Sequence, residues 1–251
     1  MLSRDRAGRN WRLADVCTAC AHAIPHTAVV PDTVMPASGE AIGSEGAQRA
    51  ALDPGPSSAT RVREMLVYLA AALPACTSAT ARLTAVQCAL RADSGGRVRL
   101  SNGVMRSMRL AHLPVIWREL EQAAWLRPGP SAAGFRCFDL LDSSVFTQAP
   151  GRRARAQAAD WALRQTCRPA VRRQRAVARL VALQVAAHTD DHGQGSIEAV
   201  HLARTAGLSS AAMATLLDQL AQVGALDRWR LDTTTDEVWW ASGARVATRL
   251  G

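Results

Sequence analysis

The chain has no lysine, one tyrosine, two asparagines and no apolar run of membrane length. Its longest apolar stretch, Met65 to Cys76, is short and interrupted by Pro74, which excludes a transmembrane helix there. The first dozen residues carry arginines with no apolar run behind them, so neither a secretory signal nor a membrane partner is expected, and the expected address is the cytoplasm. Six cysteines (Cys17, Cys20, Cys76, Cys88, Cys137 and Cys167) are scattered, which argues for reduced thiols rather than a disulfide framework. There is no glycine-rich nucleotide loop, no nucleophile elbow and no carboxylate pair in a cleft-like setting. Nothing in the sequence argues for an enzyme.

What is present is arginine. All 30 basic side chains are of this type, against 21 acidic ones, giving a net charge of +9. A GC-rich genome would produce part of this bias, so the distribution carries more information than the total. Residues 1–60 and 196–251 each hold five arginines against six acidic residues. Residues 61–142 hold eleven against six, and 143–195 hold nine against three. Basic charge is thus concentrated in the middle, as an electrostatic footprint for a polyanion would be. A solvated basic surface without a partner is the plain alternative.

Residues 31–60 are rich in Pro, Gly, Ser and Ala and read as a flexible linker behind a short N-terminal segment, 1–30. Helical spacing begins at Thr60 and runs to Leu73, with Val62, Leu66 and Leu69 on one side. The chain then repeats itself. Leu83, Val86, Gln87 and Leu90 recur 97 positions later as Leu180, Leu183, Gln184 and Ala187. Leu113, Ile116, Trp117 and Leu120 recur 100 positions later as Met213, Leu216, Leu217 and Leu220. The drift in offset reads as small loop insertions in a duplicated module of roughly 80 residues. The first copy occupies 61–142 and the second 169–245, with 143–168 as a connecting helix.

The second copy is the more regular. An amphipathic helix is expected over Val171 to Ala187, entered after Pro169, then a short strand at Ile197 and a helix from Glu198 to Ala206. Gly207 suits a left-handed C-cap and Ser209 or Ser210 an N-cap. Met213, Leu216, Leu217, Leu220 and Val223 then form one helical stripe, closed by Gly224. Leu226 to Leu231 and Glu237 to Ala241, separated by a polar run, read as a β-hairpin whose Trp229, Leu231, Val238 and Trp240 face inward. The order resembles the winged helix-turn-helix fold of DNA-binding proteins, most specifically at Arg204-Thr205-Ala206-Gly207-Leu208-Ser209 and at the Gly224-Ala225-Leu226 exit. The fold class expected is mainly α with small β-hairpins, two such modules in tandem. The first copy departs at Arg109, which stands where the turn glycine would be.

In winged helix proteins the third helix commonly enters the major groove while the wing and neighbouring helix ends touch phosphates. The resemblance therefore implies DNA contacts from His112 and Arg118, supported by Arg106 and Arg109, with Arg97 and Arg99 beside the short strand. In the second copy the matching surface is Ser209, Ser210 and Thr215, with Arg204 nearby and Arg228 and Arg230 on the wing. Arg152, Arg153 and Arg155 on the connector are further candidates for phosphate contact. Cys17, Cys20 and His26 have the spacing of part of a zinc site; free thiols are the simpler reading, and no other cofactor is implied. His188, Asp190, Asp191 and His192 read as a solvent loop. The expected partner is double-stranded DNA, with a homodimer as one arrangement. The expected function is transcriptional regulation, alongside a plasmid-type replication or partition protein and a winged-helix protein adaptor.

Overall fold

The computed structural model describes residues 57–109, 114–130, 133–147 and 151–242, together with three short strands near the N-terminus. Those strands, β1 (Leu2–Arg4), β2 (Trp11–Leu13) and β3 (Thr27–Ala28), form an antiparallel sheet in the order β2-β1-β3. Backbone contacts divide the chain into Met1–Ala50 and Ala51–Gly251. The N-terminal sheet was not foreseen, because strands of two or three residues leave no readable alternation.

The larger unit is a mixed α+β structure. It begins with α1 (Ser58–Ala72), whose N-cap Ser57 accepts from the Thr60 amide and whose Val62, Leu66 and Leu69 are buried. Helix α2 (Ala79–Arg91) follows, capped by Ser78. Then come β4 (Arg97–Ser101), α3 (Asn102–Ser107), α4 (Pro114–Gln122), β5 (Leu126–Pro128) and β6 (Phe135–Leu140). After the short α5 (Ser144–Thr147), the same plan runs again. It comprises α6 (Arg152–Thr166), α7 (Pro169–Arg172), α8 (Ala176–Ala187), β7 (Gln194–Glu198), α9 (Ala199–Ala206), α10 (Ser210–Gln222), β8 (Arg228–Asp232) and β9 (Glu237–Ala241). The sheets match as well: β4-β6-β5 in one half and β7-β9-β8 in the other, all antiparallel.

The repetition extends to single atoms. Asp93 Oδ1 accepts from the amides of Gly95 and Arg97 just before β4. Asp190 Oδ1, 97 positions on, accepts from His192 and Gln194 just before β7. That use of Asp190 accounts for the polar cluster around it as a turn.

Two expectations about helices need correction. The segment 152–166, read as a connector, is the counterpart of α1: both are 15-residue helices standing before the first repeated helix. The helix expected over Val171–Ala187 is broken into α7 and α8, with Arg175 at the N-cap of α8 as Ser78 is at that of α2. Arginine and glutamine at 172–175 are good helix formers, so propensity hides the break.

Helices α1, α2, α6 and α8 each pack against the other three. The pairing is reciprocal: α1 touches α6 and α8, while α6 touches α1 and α2. Mutual contact of equivalent elements is the pattern of a two-fold dimer interface, here within one chain. Helix α8 serves two cores. Its Leu180, Leu183 and Ala187 join the core of the first half, with Leu66, Leu120 and Ala159. Its Ala178, Val181 and Val185 join that of the second half, with Leu202, Leu217 and Trp240.

A polar tie closes α1 against the loop before α5. Tyr68 Oη donates to Asp142 Oδ2 at 2.6 Å and lies 3.4 Å from the Trp125 indole nitrogen. Burial and the Asp142 carboxylate push the Tyr68 phenol up to about 12, and the Tyr68 hydrogen bond pulls Asp142 below the ordinary carboxylate range. Both shifts stabilise the fold between their windows. The phenol's contribution is full below its unfolded value near 10 and is lost as pH rises toward 12. That of Asp142 is present above its unfolded value near 4 and is lost in more acidic solution. Melting temperature measured against pH should therefore fall at both ends, and Tyr68→Phe should remove the alkaline fall while weakening the acid one.

Candidate nucleic-acid interface

The turn between α3 and α4 begins the site. Arg109 holds φ at 63° and Ala124, after α4, holds φ at 51°. Their counterparts in the second half are Gly207 at 67° and Gly224 at 70°. The backbone thus makes the same left-handed turns in both copies, with glycine in one and a side chain in the other. A left-handed non-glycine residue costs roughly 1–2 kcal/mol, so the first copy carries strain at Arg109 and Ala124 that glycine spares the second.

Around that turn lie Arg106 at the end of α3 and Arg118 on α4, both exposed like Arg109. Arg97 and Arg99 are exposed on one face of β4. In the register, Arg97 stands opposite Asp139, which stands opposite Arg127, so Arg127 shares the face. Arg127 lies 3.8 Å from Asp139, a loose surface pair. Among the described residues, no carboxylate pairs with Arg97, Arg99, Arg106, Arg109 or Arg118. The Arg99 guanidinium lies 4.8 Å from the centre of the exposed Phe135 ring. Glu119, on the same helix as Arg118, is turned away: its carboxylate accepts from the Ser78 amide and, at 2.7 Å, from the Ser78 hydroxyl. The exposed residues of α4 are Pro114, Val115, Arg118 and Gln122, with the half-exposed Glu121 one turn from Arg118.

The second copy presents a different surface. Ser209, Ser210 and Thr215 are exposed at the start of α10, as is Arg204 before it. The Ser209 hydroxyl caps the Ala212 amide and the Thr215 hydroxyl donates to the Ala211 carbonyl. Asp218, further along, accepts from the Trp229 indole at 2.9 Å. Arg228 and Arg230 are exposed on β8, and Arg230 lies 5.7 Å from the centre of the half-exposed Trp239 ring. The hairpin's inner face holds Val238 and Trp240, but Leu231 is 45% exposed. That corrects the expectation of an inward Leu231: it lies on the edge strand β8, while its cross-strand partner Val238 on the central strand is buried.

On α6, Arg152 and Arg153 are exposed but Arg155 is only 4% exposed. Its guanidinium donates to the Ala92 carbonyl at 2.8 Å, at the C-cap of α2. Arg155 is therefore a structural residue and is withdrawn from the phosphate-contact set. Two more arginines do likewise: Arg82 donates to the Thr77 and Pro74 carbonyls, and Arg179 to Met108, the C-cap of α3. Burial lowers the pKa of all three. Arg155 and Arg179 meet carbonyls at helix C-caps, where the helix dipole is negative, and Arg82 meets those of the loop between α1 and α2. Arg127 escaped the sequence reading, although its alternation with Leu126 in a wing strand was the available signal.

His112 lies outside the described residues, as do Cys17, Cys20 and His26. The cysteines that are described, Cys76, Cys88, Cys137 and Cys167, are free thiols. No helix among the described residues is long and apolar enough to cross a membrane. No family model, curated protein or solved structure matches this chain.

Proposed function

We propose that the chain binds duplex DNA through a fused pair of winged helix-turn-helix modules and acts as a transcriptional regulator. The observation that carries the reading is the surface of the first half. Five exposed arginines, at 97, 99, 106, 109 and 118, lie on β4, α3, α4 and the turn after α3, none of them in an ion pair among the described residues, although Asp139 stands across from Arg97 and Glu121 one turn from Arg118. Unbalanced charge of this kind repels itself in the free protein, and a polyanion relieves it. Further support comes from the order helix, strand, helix, helix, strand, strand, with the first strand joined to the third, in both halves. In this reading α4 enters the major groove, where arginine meets guanine edges bidentately, and β5 and β6 form the wing on the backbone. Arg152 and Arg153, at a helix N-terminus where positive charge is unfavourable, extend the phosphate contacts.

The second half is suited to a different contact. The first turns of α10 offer serine, alanine and threonine, and Asp218 adds negative charge beyond them. A protein partner on that surface fits better than phosphate, so DNA affinity is assigned chiefly to the first half.

The test is binding to random-sequence duplex DNA across a salt series, followed by selection of the bound sequences. The double variant Arg106→Ala, Arg109→Gly should lower affinity about 10- to 100-fold at low salt and flatten the log–log salt slope by about two. Glycine at 109 relieves the left-handed turn, so this loss comes with a stability equal to or above the parent's. Unchanged affinity would move the DNA surface elsewhere, and no binding at low salt would leave the adaptor reading. Repeated selected sites at an origin, rather than one promoter site, would indicate a replication protein.

A further inference from the structure

A second set of arginines lies apart from the turn after α3. Arg164, Arg168, Arg172, Arg173 and Arg175 are all exposed, and they fall where α6 ends, α7 forms and α8 begins. No acidic residue occurs between Asp160 and Asp190, and Asp160 itself is taken by Arg91 at 2.8 Å. None of the five is in an ion pair among the described residues. Arg168 and Arg172 stand one turn apart, the Arg172 amide donating to the Arg168 carbonyl, and like charges at that spacing are destabilising. Arg175 takes the N-cap of α8 without a side-chain capping bond, at a helix end where positive charge is unfavourable.

The duplication shows that the fold does not require these side chains. At the offset of 97, Arg172, Arg173 and Arg175 stand where the first half has Ala75, Cys76 and Ser78. Ser78 caps α2 and is itself held by the Glu119 carboxylate. In the second half that glutamate is Gln219, 100 positions on. One corner of the plan is therefore built from neutral residues and a carboxylate in the first copy, and from arginines and an amide in the second. Charge that costs the free chain stability, at a place where the fold manages without it, points to an anion outside the chain.

The surroundings of the corner say which anion. Cys167 Sγ lies 3.7 Å from the Ser107 carbonyl, and Arg179 donates to the Met108 carbonyl at 3.4 Å, so the corner is pinned to the end of α3. Arg106 and Arg109 stand at that same end. On its other side, Arg168 and Val171 share a cavity wall with Ala225 and Leu226, where α10 leads into β8. Exposed guanidinia strung over three helix ends suit a repeated anion, one phosphate after another, rather than a single small ligand. We infer that the α6–α7–α8 corner is a second phosphate-binding surface, which grips the backbone of the same duplex beyond the stretch read by the first half. This assignment rests on the DNA reading and adds the extent of the site: sequence-independent contacts flank the sequence-specific ones.

The test uses the full chain and a duplex carrying the sequence that the parent selects, extended on both sides by about one helical turn, about 10 bp. Affinity is measured across a salt series, and hydroxyl-radical cleavage maps the protected backbone. The parent should protect the selected sequence and a flank beside it. The triple variant Arg172→Gln, Arg173→Gln, Arg175→Gln should lose the flank, keep the selected sequence and flatten the log–log salt slope by about two to three. Arg164→Gln with Arg168→Gln should act in the same direction and flatten the slope by about one to two. Both variants remove repulsion between exposed charges, so neither should melt below the parent. A triple variant with the parent's slope and footprint would overturn this inference and leave the DNA reading standing. One that selects a different sequence would overturn it too, because base edges rather than phosphates would then be the contact. A parent that binds no duplex at low salt removes the DNA reading, and this surface with it.

Discussion

Leu217→Asp leaves no cooperative melt in circular dichroism at 222 nm, for either half of the 57–242 unit. Leu217 is fully buried at the centre of the α10 stripe, between Met213, Leu216 and Leu220. Truncating a buried leucine alone costs about 2–5 kcal/mol, and a carboxylate without a partner adds several more. The sum is of the order of the whole stability of a typical domain, about 5–15 kcal/mol. The damage does not stop at the second half, because α8 supplies Leu180 and Leu183 to the first core and Val181 and Val185 to the second. Thr215→Asp, two residues away on the exposed side, should melt close to the parent. A soluble Leu217→Asp chain with the parent's melting curve would show that α10 is phased differently.

Arg155→Ala should lower stability by about 3 kcal/mol without changing the salt dependence of DNA binding. The variant removes a charge-assisted hydrogen bond to the Ala92 carbonyl, worth about 1.5–3 kcal/mol, and strips the packed aliphatic stem from a site only 4% exposed. For a unit of this length the melting temperature should drop by about 6–12 °C. Arg152→Ala and Arg153→Ala, on the exposed start of the same helix, should do the reverse: melting nearly unchanged, DNA affinity and salt slope reduced. A slope change in Arg155→Ala as large as theirs would mean that the side chain reaches phosphate after all.

The contrast between these arginines shows what could be read from sequence. The second copy was legible because its punctuation is local: Gly207, Ser209 and Gly224 sit where a left-handed cap, an N-cap and a second left-handed turn are required. The first copy was less so, since Arg109 and Ala124 make the same turns without the residue type that advertises them. The equivalence of α6 with α1 was hidden for a packing reason. α1 buries Val62, Leu66 and Leu69, whereas α6 buries Arg155 and alanines at 158, 159 and 162, so the two faces share no side-chain type. By sequence, Arg152, Arg153 and Arg155 are alike as candidates for phosphate contact, with a solvated face as the alternative. Burial of Arg155 and Arg179 depends on a carbonyl brought from the other end of a helix 63 to 71 positions away, and no local pattern contains that. The exposed arginines at 97, 99, 106, 109 and 118 were legible by residue type and by their position around the turn.

The reciprocal helices carry a consequence for dosage. A protein that pairs equivalent surfaces between separate chains must first associate, so its active fraction rises steeply with its own abundance and its melting temperature depends on dilution. Here both partners of the α1–α6 and α2–α8 contacts lie on one polypeptide, and each meets the other at a fixed effective concentration. The assembled form is present at any concentration. Occupancy of a target should follow protein level as a simple hyperbola, and a tenfold dilution should leave the melting curve where it was.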